Sequence, residues 1–224
     1  MGPGMTDKKK RVAILISGRG SNMTALIEAA RAPDYPAEIA CVLSNRPQAE
    51  GLAKAQAAGV PARAIDHTKH ASRAAFEAEL DAALASFGVD LVACAGFMRL
   101  LTPAFVERWH NRMLNIHPSL LPAFRGLNTH ARALEAGVKI TGCTVHLVRP
   151  DVDDGPIIAQ AAVPVLEGDS AESLAARVLQ AEHKLYPHAL ALLAAGKVQI
   201  ADKKAAGPQA PVNQEKALFW PPLA

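Results

Sequence analysis

Asn115 and His117 stand one residue apart in the run NIHPSLLP, Asn115 to Pro122, and alternate residues of an extended segment leave the same face. An amide and an imidazole on one face suit addition to a carbonyl. The amide can donate a hydrogen bond to an oxyanion, and the imidazole can give or take a proton near neutral pH. Pro118 and Pro122 hold the loop that follows. The ordinary alternative is a structural histidine at a strand end, which spacing alone does not exclude. A second group is SGRGSN, Ser17 to Asn22, a glycine-rich loop between an apolar run and a helical repeat. Gly18 and Gly20 let backbone N–H groups converge, and the helix N-terminus behind them adds partial positive charge, so the loop suits a phosphate. A tight turn capped by Ser21 is the plainer alternative. The loop departs from a dinucleotide fingerprint, because Met23 fills its third glycine position and no acid follows the second strand at Ser44 and Asn45. It also lacks the lysine of a Walker loop.

A third group is the acidic turn of Asp151, Asp153 and Asp154 ahead of Gly155 and Pro156. Aspartate and glycine are common in turns for conformational reasons alone, yet one carboxylate there can orient an imidazole and favour its charged form. Carboxylates without His or Cys at ligand spacing make a poor metal site, and neither HExxH nor GxSxG occurs in the chain. His67 and His70 read as polar loop residues, and His146 as a strand histidine with a hydrogen-bond partner. The run AGFMRLL, Ala95 to Leu101, is either ordinary core or one wall of a slot for a flat ring.

These groups need elements to position them. Val12–Ser17 is a short β-branched run, followed by Met23, Leu26, Ile27 and Ala30 at helical spacing;. Strand-like runs recur at Ile39–Leu43, Ala62–Ile65, Leu91–Phe97 and Met113–His117, with helical stretches at Gln48–Ala57, Ser72–Ala85 and Pro103–Trp109 between them. Gly59 and Gly88 sit at C-cap positions. Such alternation predicts parallel pairing with right-handed crossovers. Thr141–Val148 and Ile157–Val165 are close enough to form a hairpin, and Ser170–Ala195 reads as one amphipathic helix broken or kinked before Pro187;. The expectation is a single α/β domain over residues 12–200, built on a mostly parallel, Rossmann-like sheet with helices on both faces and an antiparallel C-terminal strand pair. Residues 1–11 read as a disordered leader and residues 201–224 as a flexible tail.

Half of the 224 residues are apolar, enough for a core, and 24 Lys and Arg against 21 Asp and Glu leave only +3. No global basic field exists to hold a polyanion. Cys41, Cys94 and Cys143 are far apart and each lies in an apolar run, so they read as buried thiols rather than a disulfide framework or a metal clip;. No apolar stretch reaches the roughly 18 residues that span a bilayer, and a soluble, cytoplasmic protein is expected.

SGRGSN, AGFMRLL, NIHPSLLP and the VDDGP turn, in this order, resemble the phosphoribosylglycinamide formyltransferases, or glycinamide ribonucleotide transformylases, of the folate-dependent formyltransferase superfamily. The resemblance runs from about Val12 to Ile200. It implies transfer of the formyl group of 10-formyltetrahydrofolate to the amine of 5-phosphoribosylglycinamide in de novo purine biosynthesis, with no metal. It further implies a catalytic trio of Asn115, His117 and Asp153. Gly20, Ser21 and Asn22 would hold the substrate phosphate, and Glu182 the ribose hydroxyls. Met98, Arg99, Leu100 and Leu101 would line the pterin slot beside Asn115, under a loop of Arg149, Pro150, Asp151, Val152 and Asp153, with Arg73 facing the folate glutamate tail. Two departures from the family pattern are Arg19 in the phosphate loop and Asp154, where a small residue often follows the catalytic aspartate; register favours Asp153. The implied partners are small molecules, without nucleic acid or membrane, in a monomer or homodimer. Rival expectations are a formyltetrahydrofolate hydrolase, another formyl-folate transferase such as one acting on methionyl-tRNA, and a non-catalytic folate or phosphate-binding module.

Overall fold

The computed structural model describes residues 8–201 and 204–208. Its centre is a seven-stranded sheet built from β1 (Lys10–Ile16), β2 (Ala37–Ser44), β3 (Ala62–Ala64), β4 (Leu91–Cys94), β5 (Met113–His117), β6 (Ile140–Leu147) and β7 (Ile157–Pro164). The spatial order is β3-β2-β1-β4-β5-β6-β7. The first five strands run parallel, β6 runs antiparallel to β5, and β7 antiparallel to β6. This is the single α/β domain expected from the alternation of runs.

Both faces of β1 are buried, as a parallel sheet covered by helices requires. Val12, Ile14 and Ile16 point to one face, where they cluster with Met23 and Leu26 of α1 (Ser21–Ala30), Ala55 of α2 (Glu50–Ala57), and Tyr186 and Leu190 of α6 (Ala171–Ala194). Ala13 and Leu15 point to the other, against Phe76, Leu80 and Leu84 of α3 (Arg73–Ser86) and Phe105 of α4 (Pro103–Arg108). A further helix, α5 (Thr129–Glu135), lies between β5 and β6 and packs on α6.

Several boundaries differ from the sequence expectation. β1 starts at Lys10, so Lys10 and Arg11 belong to the sheet. β4 ends at Cys94 because the chain turns at Gly96, whose φ is 74° and whose carbonyl accepts from the Ser17 N–H at 3.1 Å. Helix α6 is not broken at Pro187. Tyr186, Ala189 and Leu190 on that stretch are fully buried, and this packing outweighs the missing N–H, which costs an exposed helix about 3 kcal/mol. Part of the expected tail forms a small antiparallel pair, β8 (Gln199–Ala201) with β9 (Lys204–Ala206). Residues 202–203 and 209–224 of that tail, like residues 1–7 of the leader, lie outside the described residues.

Candidate active site

β1, β4 and β5 are neighbours, and Leu15, Cys94 and Asn115 stand in one row across them. With about 4.8 Å between strands, the ends of β1 and β5 are about 10 Å apart. The glycine-rich loop after β1, the Ala95–Leu101 loop after β4 and the Asn115–His117 pair therefore share one edge of the sheet, beside the reversal of strand order where open α/β sheets bind ligands. The Ser17 hydroxyl joins two of these loops, accepting from the Met98 N–H at 2.7 Å and donating to Asn45 Oδ1 at 2.6 Å.

Gly20, not Ser21, is the N-cap of α1, with φ 71° and no side-chain cap. The first-turn N–H groups of α1 therefore rely on a partner from outside the helix. A Cβ on Gly20 would come within 3.0 Å of Gly51 Cα and Met23 Cε, so the start of α2 is pressed against this loop. The Asn22 amide donates to Glu182 Oε2 at 2.6 Å, and its own Oδ1 is buried with no hydrogen-bond partner. Burial raises the Glu182 carboxyl, and the Asn22 contact only partly offsets that. Glu182 sits one turn before Tyr186, whose hydroxyl donates to the Cys94 carbonyl at 3.0 Å, with the Leu114 carbonyl at 3.3 Å. α6 thus ties the glycine-rich loop to β4 and β5, the latter carrying Asn115 and His117.

The acidic turn reaches the site by a different route from the other loops. β6 runs against β5, so its end at Leu147 lies opposite Leu114, and the turn after it must fold back over the face of the sheet. There the Asp153 Oδ2 lies 3.3 Å from His117 Nδ1 and accepts from the Gly126 N–H at 3.0 Å. Asp154 instead pairs with Arg125 at 2.5 Å, which resolves which of the two acids faces the imidazole. Burial pushes the Asp153 carboxyl up, but hydrogen bonds from His146 and Gly126 and the nearby imidazoles outweigh it and hold it below the usual aspartate range. His117 is itself buried, its Nε2 donating to the Phe124 carbonyl at 3.0 Å.

His146 also belongs to this cluster, beyond its expected role as a strand histidine. It stands opposite Asn115 in the β5–β6 ladder, its Nε2 3.3 Å from the Asn115 amide and 3.6 Å from Asp153 Oδ1. Its Nδ1 donates to the Leu147 carbonyl at 3.0 Å, so Nε2 is the ring atom turned toward both the Asn115 amide and the Asp153 carboxylate. Only the antiparallel register places it there, opposite Asn115.

Of the residues implied for a flat ligand, Met98 is 59% exposed, Leu100 61% and Val152 50%, exposed apolar side chains on the loops after β4 and β6. Arg99 is half-buried with its Nε unpartnered, and Leu101 packs against the α3 and α4 side of the core. Arg73 is exposed at the first position of α3. It lies one turn before Glu77, which accepts from the Thr102 N–H at 2.7 Å and so joins α3 to the end of the Met98–Leu101 loop. Arg149 turns away toward Asn111 Oδ1 at 2.6 Å and anchors the root of its loop, which continues through exposed Pro150 and Asp151. Arg19 offers its carbonyl to Lys54 Nζ at 2.8 Å. His67 and His70 lie outside the cluster, bonded to Asn45 and Glu79. Among the described residues no three His, Cys, Asp or Glu side chains group as a metal site, and all three cysteines are buried free thiols raised by burial to about 12.

An open α/β sheet with an amide, an imidazole and a carboxylate at its switch point is the architecture of a group-transfer enzyme, and the family can be stated. A family model described as formyl transferase matches residues 10–190, and the chain belongs to that family. Among its relatives, the human trifunctional purine biosynthetic protein adenosine-3 is 52% identical over 195 residues, or 87% of this chain. The chain spans about a fifth, 19%, of that protein's length. Among solved structures, glycinamide ribonucleotide transformylase 1 from Symbiobacterium toebii is 46% identical with a TM-score of 0.89, covering 93% of this chain and 99% of its own. Phosphoribosylglycinamide formyltransferase from Brucella melitensis is 57% identical with a TM-score of 0.81, covering 87% and 100%. A formyltetrahydrofolate deformylase from Pseudomonas syringae shares 27% identity at a TM-score of 0.83, over 90% of this chain but 66% of that one.

Proposed function

We propose that the chain transfers the formyl group of 10-formyltetrahydrofolate to the amine of 5-phosphoribosylglycinamide, a step of de novo purine biosynthesis. The observation that carries this reading is the Asn115, His117 and Asp153 cluster set about 10 Å across the sheet from an uncapped helix N-terminus;. Acyl transfer needs an oxyanion site, and a phosphorylated acceptor needs an anion site at the length of a small sugar from it. Solved relatives named for the same activity that align over nearly their whole length support it further.

In this mechanism Gly20, Ser21 and Asn22 hold the phosphate on the α1 N–H groups, and Glu182 accepts from the ribose hydroxyls. Met98, Arg99, Leu100 and Leu101 line the pterin slot, Arg149–Asp153 covers it, and Arg73 faces the glutamate tail. The folate supplies the formyl carbonyl. The neutral amine attacks its carbon, and the carbonyl electron pair moves onto oxygen. Asn115 donates to that oxyanion, and the Nε2–H of His117, which otherwise donates to the Phe124 carbonyl, exchanges that acceptor for the oxyanion while Asp153 holds His117 through Nδ1. The C=O then re-forms as the bond to the folate nitrogen breaks, and the proton lost by the amine passes to that nitrogen. The reaction asks for no metal, takes only small-molecule partners, and belongs in the cytoplasm, where three free thiols remain reduced. The polypeptide acts as a monomer or homodimer.

A second reading, hydrolysis of the formyl-folate, is favoured only by the deformylase likeness, which leaves a third of that chain unmatched. Purified protein given 10-formyltetrahydrofolate with and without glycinamide ribonucleotide separates the two. Folate product should form only with the acceptor, and equal release of formate without it overturns the proposal.

A further inference from the structure

Asp153 carries φ 52°, in the left-handed region. A side-chain-bearing residue stays there only where its surroundings over-determine it. Two neighbours fix the ends of its loop. Arg149 is bonded to Asn111 and to the Val148 carbonyl, and Gly155 runs so close to β6 that a Cβ would lie 1.7 Å from the Leu147 carbonyl oxygen. Between those ends the loop is gripped by two consecutive residues of the segment after β5, Arg125 and Gly126, and the residue before them holds His117. The Phe124 carbonyl accepts from His117, the Arg125 guanidinium pairs with Asp154, and the Gly126 N–H donates to Asp153. This brace is itself secured by α5, since Arg132 donates to the Arg125 carbonyl at 2.6 Å and stacks 5.6 Å from the Phe124 ring. Phe124 also has a positive φ, 53°, so both sides of the junction are held in conformations that need support.

We propose that Arg125 and Asp154 are positioning residues for this reaction: their ion pair locks the two loops in the register that aims the Asp153 carboxylate at His117. The inference rests on the formyl-transfer reading above. A side chain without a carboxylate at position 154 could not make this contact. With the two side chains 45% and 25% exposed, its effect is modest but specific.

The test combines Arg125→Ala, Asp154→Ala, the double alanine variant and the charge-swapped pair Arg125→Asp with Asp154→Arg. Each single variant should lose about three- to fivefold in kcat, the range of one partly exposed ion pair, with KM for the glycinamide substrate changed less than about twofold. The double alanine variant should be no worse than either single, and the swapped pair should regain most of the loss. Arg125→Lys, which keeps the charge in case the swap does not fold, should stay near the parent. Singles with parental kcat, losses that multiply in the double variant, or a folded Arg125→Lys as poor as alanine would overturn the pairing. Histidine-selective ¹⁵N NMR on the ligand-free protein gives a readout independent of activity. The His117 Nδ1 resonance should move in both singles, and an unmoved resonance refutes the clamp. A parent protein without formyl transfer would refute the reaction instead and leave the NMR result to decide the clamp.

Discussion

Replacing Asp153 with asparagine keeps the shape of the side chain and removes its charge. The carboxylate is 10% exposed, 3.3 Å from His117 Nδ1 and 3.6 Å from His146 Nε2. At an effective dielectric of about 20, unit charges about 4 Å apart interact by about 4 kcal/mol. An amide oxygen can still accept from Gly126, so the expected loss is about 3 to 4 kcal/mol, felt most when His117 shares the charge of the oxyanion. That corresponds to about 10²- to 10³-fold in kcat at 1.36 kcal/mol per decade, with KM for either substrate little changed. Stopped-flow single turnover under saturating substrates isolates the chemical step. Stability supplies a second reading. A carboxyl held below its ordinary value contributes stability that is present above the unfolded pKa and lost as pH falls through the folded one. Asp153→Asn should therefore lower Tm at neutral pH, with the gap closing once the pH drops below about 3.9. A variant that turns over within about threefold of the parent would remove the Asp153 charge from the mechanism.

Asn115→Ala should lose one oxyanion donor, about 3 kcal/mol or 10²- to 10³-fold in kcat, while calorimetric titration shows folate binding retained; weakened binding with unchanged kcat would contradict that role. Glu182→Gln keeps the acceptor for Asn22 but removes a carboxyl that burial has raised. Because the penalty on the charged form appears only as pH rises through the folded pKa, this variant should melt higher than the parent at pH 8 and equally at pH 4. Thermal scans across that range check the sign. Gly20→Ala sets a Cβ 3.0 Å from Gly51 and demands a left-handed alanine, so it should cost about 1 to 2 kcal/mol by urea titration. KM for the phosphorylated acceptor should rise with it, and an unshifted urea midpoint would show that the loop tolerates the side chain.

The alternation of apolar runs and helical repeats determined most of this protein, because local periodicity reports which face of a strand or helix must be buried. It was enough to expect the parallel sheet, the loop at Ser17–Asn22 and the pairing of Asn115 with His117 on one face. NIHPSLLP and its companion motifs carried the family resemblance. Three matters were left to tertiary structure, each because it depends on contacts between residues remote in the chain. Whether Pro187 breaks α6 turned on burial of Tyr186 and Leu190 against the sheet. His146 entered the site through a strand register, which no spacing within one strand can specify. Motif register favoured Asp153 over Asp154, but the contacts that separate the two acids come from a left-handed turn and from Arg125, 29 residues away in sequence. A chain can announce which side chains are equipped for chemistry, but their convergence within 3.6 Å required the sheet that brings β5 and β6 together.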